Sequence, residues 1–124
     1  MQHTVKFGRM AAVLPVKNMD LAQQFYIDGL GFEKVFENGN PIGFMILKQG
    51  ACELHLTLQP GYKAAHFPVV HLLVDDANAL FTLCKSTGAR ILKGIQDKEY
   101  GIRAFIFADP DGNRIDVGQI LKPV

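Results

Sequence analysis

The feature that most constrains this chain is an internal repeat. The sequence runs twice through one order of elements: a strand, a helix, then three more strands. In the first half the apolar run Met10 to Val16 reads as a buried strand. Asn18 is placed to cap a helix, its side-chain oxygen accepting from first-turn N–H groups, with Asp20 favoured there by the helix dipole. Leu21, Ala22, Phe25 and Gly29 fall on one helical face, and Gly31 supplies a left-handed exit. Phe32 to Phe36, Gly43 to Lys48 and Ala51 to Leu58 read as strands, with a turn at Asn38-Gly39. In the second half Val69 to Val74 is the leading strand and Asp75 or Asp76 the helix cap. Ala77, Leu80, Phe81 and Cys84 keep the i, i+3, i+4, i+7 stripe, and Gly88 ends it. Ala89 to Leu92, Arg103 to Phe107 and Arg114 to Gly118 complete the set. Asp109-Pro110-Asp111-Gly112 is a tight turn whose acids need no catalytic role.

The expectation is an α+β fold of paired βαβββ modules, with open, cupped mixed sheets and the helices outside. At 124 residues the chain fits one domain. Module one covers about 8–59, a Pro/Gly-marked connector 60–68, and module two about 69–122. One helix covers one face of each sheet, so modules set side by side leave their other faces meeting around a cleft.

Charge narrows the function classes. Thirteen Lys+Arg against twelve Asp+Glu give a net charge of +1, with no run of like charge, so nucleic acid is not the expected partner. No apolar stretch approaches the roughly 20 residues needed to cross a bilayer, so no membrane partner is expected. Met1 to Gly8 carries no signal-peptide core, which points to a cytoplasmic protein. Cys52 and Cys84 form no CxxC and sit in apolar patterns, the setting of buried free thiols.

Side chains alternate across a strand, so each strand sorts into two faces. From Glu53 to Gln59 the leucines share one face, and Glu53, His55, Thr57 and Gln59 the other. In the leading strand of the second half Val70, Leu72 and Val74 face the helix, leaving Val69, His71 and Leu73 on the far side. In the last strand Arg114, Asp116 and Gly118 point away from Ile115 and Val117. Glu53, His55, His71 and Asp116 are therefore candidates to converge on one concavity, at matching positions of the two halves. Each also has a plain structural reading. A polar row on an antiparallel strand can be a wet face, and a histidine in an apolar strand can be a hydrogen-bonded structural residue. Tyr100, in a loop before a strand, can wall a pocket or cover the core edge, and Arg103 can pair with an acid across its hairpin.

Three stretches resemble the glyoxalase/bleomycin-resistance/extradiol-dioxygenase proteins, the vicinal oxygen chelate superfamily. They are Val13-Leu14-Pro15-Val16-Lys17-Asn18 with Phe25-Tyr26 and Gly29-Leu30-Gly31-Phe32, then Tyr100-Gly101-Ile102-Arg103, then Asp109-Pro110-Asp111-Gly112-Asn113. The short length, and Gly43 to Leu47 followed by Gly50, look most like the bleomycin-resistance branch. The resemblance implies paired modules and a homodimer completing a ligand groove. It also implies metal-ligand positions in the enzymes of the superfamily. Carried over, these fall at Ala11 and Val69, which cannot bind a metal, and at Glu53 and Asp116, which can.

The leading expectation is thus a binding protein with no metal or other cofactor, sequestering a small organic molecule such as an antibiotic or another toxic aromatic. Glu53, His55, His71 and Asp116 are its polar candidates, and Phe44, Tyr100 and Ile106 its apolar and aromatic ones. The alternative is a divalent-metal lyase, isomerase or dioxygenase, with Glu53 and Asp116 joined by His55 or His71 as ligands or general bases. No catalytic residue is assigned.

Overall fold

The computed structural model describes residues 4–121. Lys122, placed above at the end of module two, lies outside the described residues. The first unit holds β1 (Ala12–Val16), α1 (Met19–Gln23) with a π-helical continuation (Gln24–Gly29), β2 (Glu33–Asn38), β3 (Phe44–Gln49) and β4 (Cys52–Leu58). The second holds β5 (Pro68–Leu73), α2 (Ala77–Ser86), β6 (Arg90–Asp97), β7 (Ile102–Ala108) and β8 (Arg114–Ile120). These form two four-stranded mixed sheets, ordered β1-β4-β3-β2 and β5-β8-β7-β6. The leading strand of each unit pairs in parallel with the last, and the remaining pairs are antiparallel.

The local signals act where the sequence puts them. Asn18 Oδ1 accepts from the Leu21 N–H at 3.0 Å, and Asp76 Oδ1 from the Ala79 N–H at 3.0 Å, so each helix starts on a capped turn. Gly31 and Gly88 take positive φ at the two helix exits. Helix one keeps Ala22 and Phe25 of the expected face against the core but departs from it at Leu21. Leu21 is half exposed, while Met19, Ala22, Tyr26 and Leu30 are buried. The π-turn, closed by the Leu30 N–H donating to the Phe25 carbonyl at 3.1 Å, inserts extra backbone and rotates Tyr26 into the core. Strand β6 runs to Asp97, beyond the expected Leu92, because two register shifts around Lys93 break the alternation by which strands are recognised.

The larger correction concerns how the units sit together. Leu14, Val16, Leu54 and Leu56 of the first sheet and Phe105, Phe107, Ile115 and Val117 of the second join Tyr26 and Cys84 in a single buried cluster. Phe25, from the first unit, lies 6.2 Å from Phe107 of the second, and Phe81 of α2 lies 5.2 Å from Phe105. The helix-bearing faces of both sheets therefore share one core, and the polar rows on the opposite faces point outward, away from it. Strands β1 and β5 are edge strands, not buried ones. Val13 and Leu73 on their outward faces are 60% and 65% exposed, which is far above what a core position shows.

The turn after β7 joins the units. Asp109 is buried, and its Oδ1 accepts from the Asp111 and Asn113 N–H groups at 2.9 Å each. Its Oδ2 accepts from the Tyr26 hydroxyl at 2.7 Å. Asn113 Nδ2 donates to the Pro15 carbonyl at 2.9 Å, and Asn113 Oδ1 accepts from the Tyr62 hydroxyl at 2.6 Å. The Lys17 N–H donates to Asp111 Oδ1 at 2.7 Å. Burial pushes the Asp109 carboxyl up, opposed by its hydrogen bonds from Asn113 and Tyr26. Acids that the sequence suggested only as turn-formers thus tie the end of β1 and the π-turn to the second sheet, and Asn113 ties the connector to it.

Candidate functional site

Strand register places the candidate side chains. On the outward face of the first sheet Val13, His55, Ile46 and Phe36 sit in register across β1, β4, β3 and β2. Glu53 lies one step along β4, opposite Lys48. On the outward face of the second sheet the corresponding row is His71, Asp116, Ile106 and Lys93 across β5, β8, β7 and β6. The counterpart of Asp116 is therefore His55, not Glu53, and the counterpart of Glu53 is Arg114. The expected match between Glu53 and Asp116 is off by two residues, a shift that only the pairing of the parallel strands reveals.

The four polar candidates come together as two pairs, one on each sheet. His55 Nε2 donates to Glu53 Oε2 at 2.7 Å. Arg9 Nε and Nη2 both donate to Glu53 Oε1, at 2.8 and 2.6 Å, and Lys48 Nζ approaches the same oxygen at 3.9 Å. The Glu53 side chain is only 11% exposed beneath these partners. His55 and then Arg9 hold its carboxyl below the ordinary glutamate range. The Phe44 ring meets His55 edge-on at 5.6 Å, and Phe36 meets Phe44 at 6.2 Å. On the second sheet His71 Nδ1 stands 3.3 Å from Asp116 Oδ2, a looser and more open pair.

Arg9 is the partner that sequence reasoning missed. It stands 44 residues from Glu53, before the first strand, with no periodicity to mark it. Tyr100 is exposed at the β6–β7 turn, with no recorded contact to the other candidates among the described residues. Arg103 pairs with Asp97 across that hairpin at 2.7 Å, as its position suggested.

A cleft of about 640 Å³ has a different set of walls from the outward rows. It opens between the units, lined chiefly by helix-side residues such as Leu30, Phe32, Cys52, Leu72 and Leu80. Glu53 and His71 are among its lining residues, so two of the four candidates border one space. Both thiols are free; burial pushes Cys84 up to about 11 and also raises Cys52.

The resemblance noted above implies a metal in the enzymes of that superfamily. Among the described residues no three His, Cys, Asp or Glu side chains come together. Each outward face offers one carboxylate and one imidazole, fewer than the three protein donors of a firm site, so within one copy the residues do not fit a metal.

Two four-stranded mixed sheets of this order, with few helices, define the fold class. The family model described as Glyoxalase/Bleomycin resistance protein/Dioxygenase superfamily matches residues 2–117, and the chain belongs to that family. Among solved structures, a bleomycin-binding protein complexed with bleomycin is 29% identical, with 91% of this chain and 98% of that one covered and a TM-score of 0.77. A bleomycin resistance determinant encoded on the transposon Tn5 is 28% identical with the same coverage and a TM-score of 0.78. A glyoxalase family protein from Enterococcus faecalis, 22% identical over 87% of this chain and 94% of that one, with a TM-score of 0.73, speaks for the fold. No curated protein sequence matches this one. Among the described residues no helix is long and apolar enough to cross a membrane.

Proposed function

We propose that this chain is a small-molecule-binding protein of the bleomycin-resistance type. It works without a metal as a homodimer in the cytoplasm and sequesters an antibiotic or another toxic aromatic compound. The observation that carries the reading is the pair of outward faces. Each sets one acid–histidine pair into a row with apolar neighbours, Val13, Ile46 and Phe36 on one sheet and Ile106 on the other. A single chain leaves these rows open to water. Groups that are both apolar and hydrogen-bonding suit a ligand wall better than a wet surface.

A second copy supplies the missing wall. The outward face of the first sheet in one copy and of the second sheet in the other enclose a groove, with Glu53–His55 and His71–Asp116 on opposite sides. The unpaired edges β1 and β5, and the exposed Val13, Val69 and Leu73, are the surfaces such pairing covers. In this groove Phe44, Ile46 and Ile106 supply apolar contact and the histidines orient the ligand by hydrogen bonds, while Tyr100 extends the rim. The likeness to the bleomycin-binding protein, at 29% identity over nearly the whole chain, supports a binding role.

Isothermal calorimetry with bleomycin and a panel of planar aromatic compounds tests the reading. Saturable binding at one or two sites per dimer is expected; none across the panel contradicts it. Elemental analysis of protein purified without chelators tests the metal-free part. A near-stoichiometric divalent metal, lost on Asp116→Ala, would reverse it in favour of a metal-dependent lyase or dioxygenase.

A further inference from the structure

We infer that the outward face of the first sheet is built to take the anionic end of a planar aromatic molecule, with Arg9 and Lys48 as its donors. The inference rests on the small-molecule reading above and names the ligand chemistry for one wall of that groove.

Glu53 looks, by itself, like a receptor for a cation, yet its carboxylate is already taken. Oε1 accepts twice from Arg9 and lies 3.9 Å from Lys48, and Oε2 accepts from His55. A ligand cation would have to displace Arg9 from a two-donor contact of 2.6 and 2.8 Å, and the cluster it met would hold two fixed cations against one carboxylate. An anion displaces nothing. Among the described residues, Arg9 Nη1 makes no hydrogen bond, and the Lys48 ammonium touches Glu53 only at long range. Arg9 is 63% and Lys48 39% exposed at the side chain, so both reach a molecule arriving from outside. An arginine fork beside an ammonium is a geometry that carboxylates and sulfonates recognise.

The rest of the face fixes the ligand's body. Val13, Ile46 and Phe36 lie in register with His55, forming an apolar strip one residue step from the cationic cluster. The Phe44 ring closes one side, edge-on to His55. A flat ring system lying on this strip places an attached carboxylate beside Arg9 and Lys48.

Three probes sharing one ring, 2-naphthoate, 2-naphthylmethanol and 2-naphthylmethylammonium, separate charge from apolar contact. Calorimetry at low salt is expected to show naphthoate binding at least about tenfold tighter than the ammonium, with the alcohol between them. The double variant Arg9→Ala, Lys48→Ala should bring naphthoate down to the level of the alcohol and leave the alcohol unchanged. Arg9→Gln alone should lose about threefold, which keeps the test available if the double variant does not fold. Equal binding of all three probes, tightest binding of the ammonium, or an anion preference that survives the double variant would overturn the inference while the small-molecule reading stands. Absence of saturable binding by these probes and by the wider panel would remove both.

Discussion

The Tyr26 hydroxyl donates a 2.7 Å hydrogen bond to Asp109 Oδ2, joining two residues 83 apart in sequence and one βαβββ unit to the other. Both groups are buried, so each is the other's substitute for water. The bond sits beside the Asn113–Pro15 and Lys17–Asp111 contacts, which tie the turn after β7 to the end of β1. Because the helix-bearing faces share a core, this junction also sets the angle at which the two outward faces are presented.

Tyr26→Phe should therefore destabilise the fold by about 1–2 kcal/mol, the scale of one hydrogen bond to a carboxylate. Asp109→Ala should cost more, about 2–4 kcal/mol, because it also orphans the buried N–H groups of Asp111 and Asn113. Urea denaturation measures both. Equal, small losses in the two variants would mean that the turn is not the junction described.

Gly112 takes φ +85°, and an added Cβ would lie 2.9 Å from the Ala64 Cβ of the connector. Gly112→Ala meets backbone strain and a clash together, with an expected cost of about 2 kcal/mol or more. Gly50 shares a positive φ but has nothing within 4 Å of an added Cβ, so Gly50→Ala should cost about half as much. The difference in thermal midpoint between the two variants reads the clash apart from the strain.

Much of the fold was legible because its signals are local. Asn18 and Asp76 cap where short polar residues precede apolar stripes, and most strands lie within a residue or two of their apolar runs. What was not legible depends on contacts distant in sequence. Val13 read as part of a buried strand because an apolar edge strand and an apolar buried strand share one pattern. The burial of Tyr26 was missed because the π-turn adds backbone that a 3.6-residue period does not anticipate. At the candidate site the residue types were visible, but the partner of Glu53 was not. Arg9 lies outside every element, and only the folded chain brings it to the carboxylate.

The depressed Glu53 carboxyl gives a pH prediction with a definite sign. A folded-state value below the unfolded one means that its contribution to stability is present above the ordinary glutamate value and is lost as pH falls through the folded value. His55 is the first cause and Arg9 the second. His55→Ala should therefore raise the Glu53 midpoint more than Arg9→Ala does, as followed by carboxyl carbon NMR. The reverse order would mean that Arg9, not the imidazole, holds the carboxylate.

Val13→Asp places a charge on the outward face of an edge strand where the side chain is 60% exposed. Within one copy the change should be nearly neutral, about 0.5 kcal/mol or less. In the proposed dimer it buries an unpaired charge, so sedimentation velocity should show the variant as a monomer at concentrations where the wild type is expected to be a dimer. An unchanged sedimentation coefficient, with far-UV circular dichroism also unchanged, would remove β1 from the interface.

Carbon–proton NMR of the His55 and His71 rings during titration with a saturating aromatic ligand tests the central claim most directly. The two histidines lie on different sheets of one copy, and the groove requires one from each wall. Both ring signals should move together with a single dissociation constant. If both stay fixed while the methyl groups of Leu72 and Leu80 shift, the ligand occupies the cleft between the units, and the outward faces are not the site.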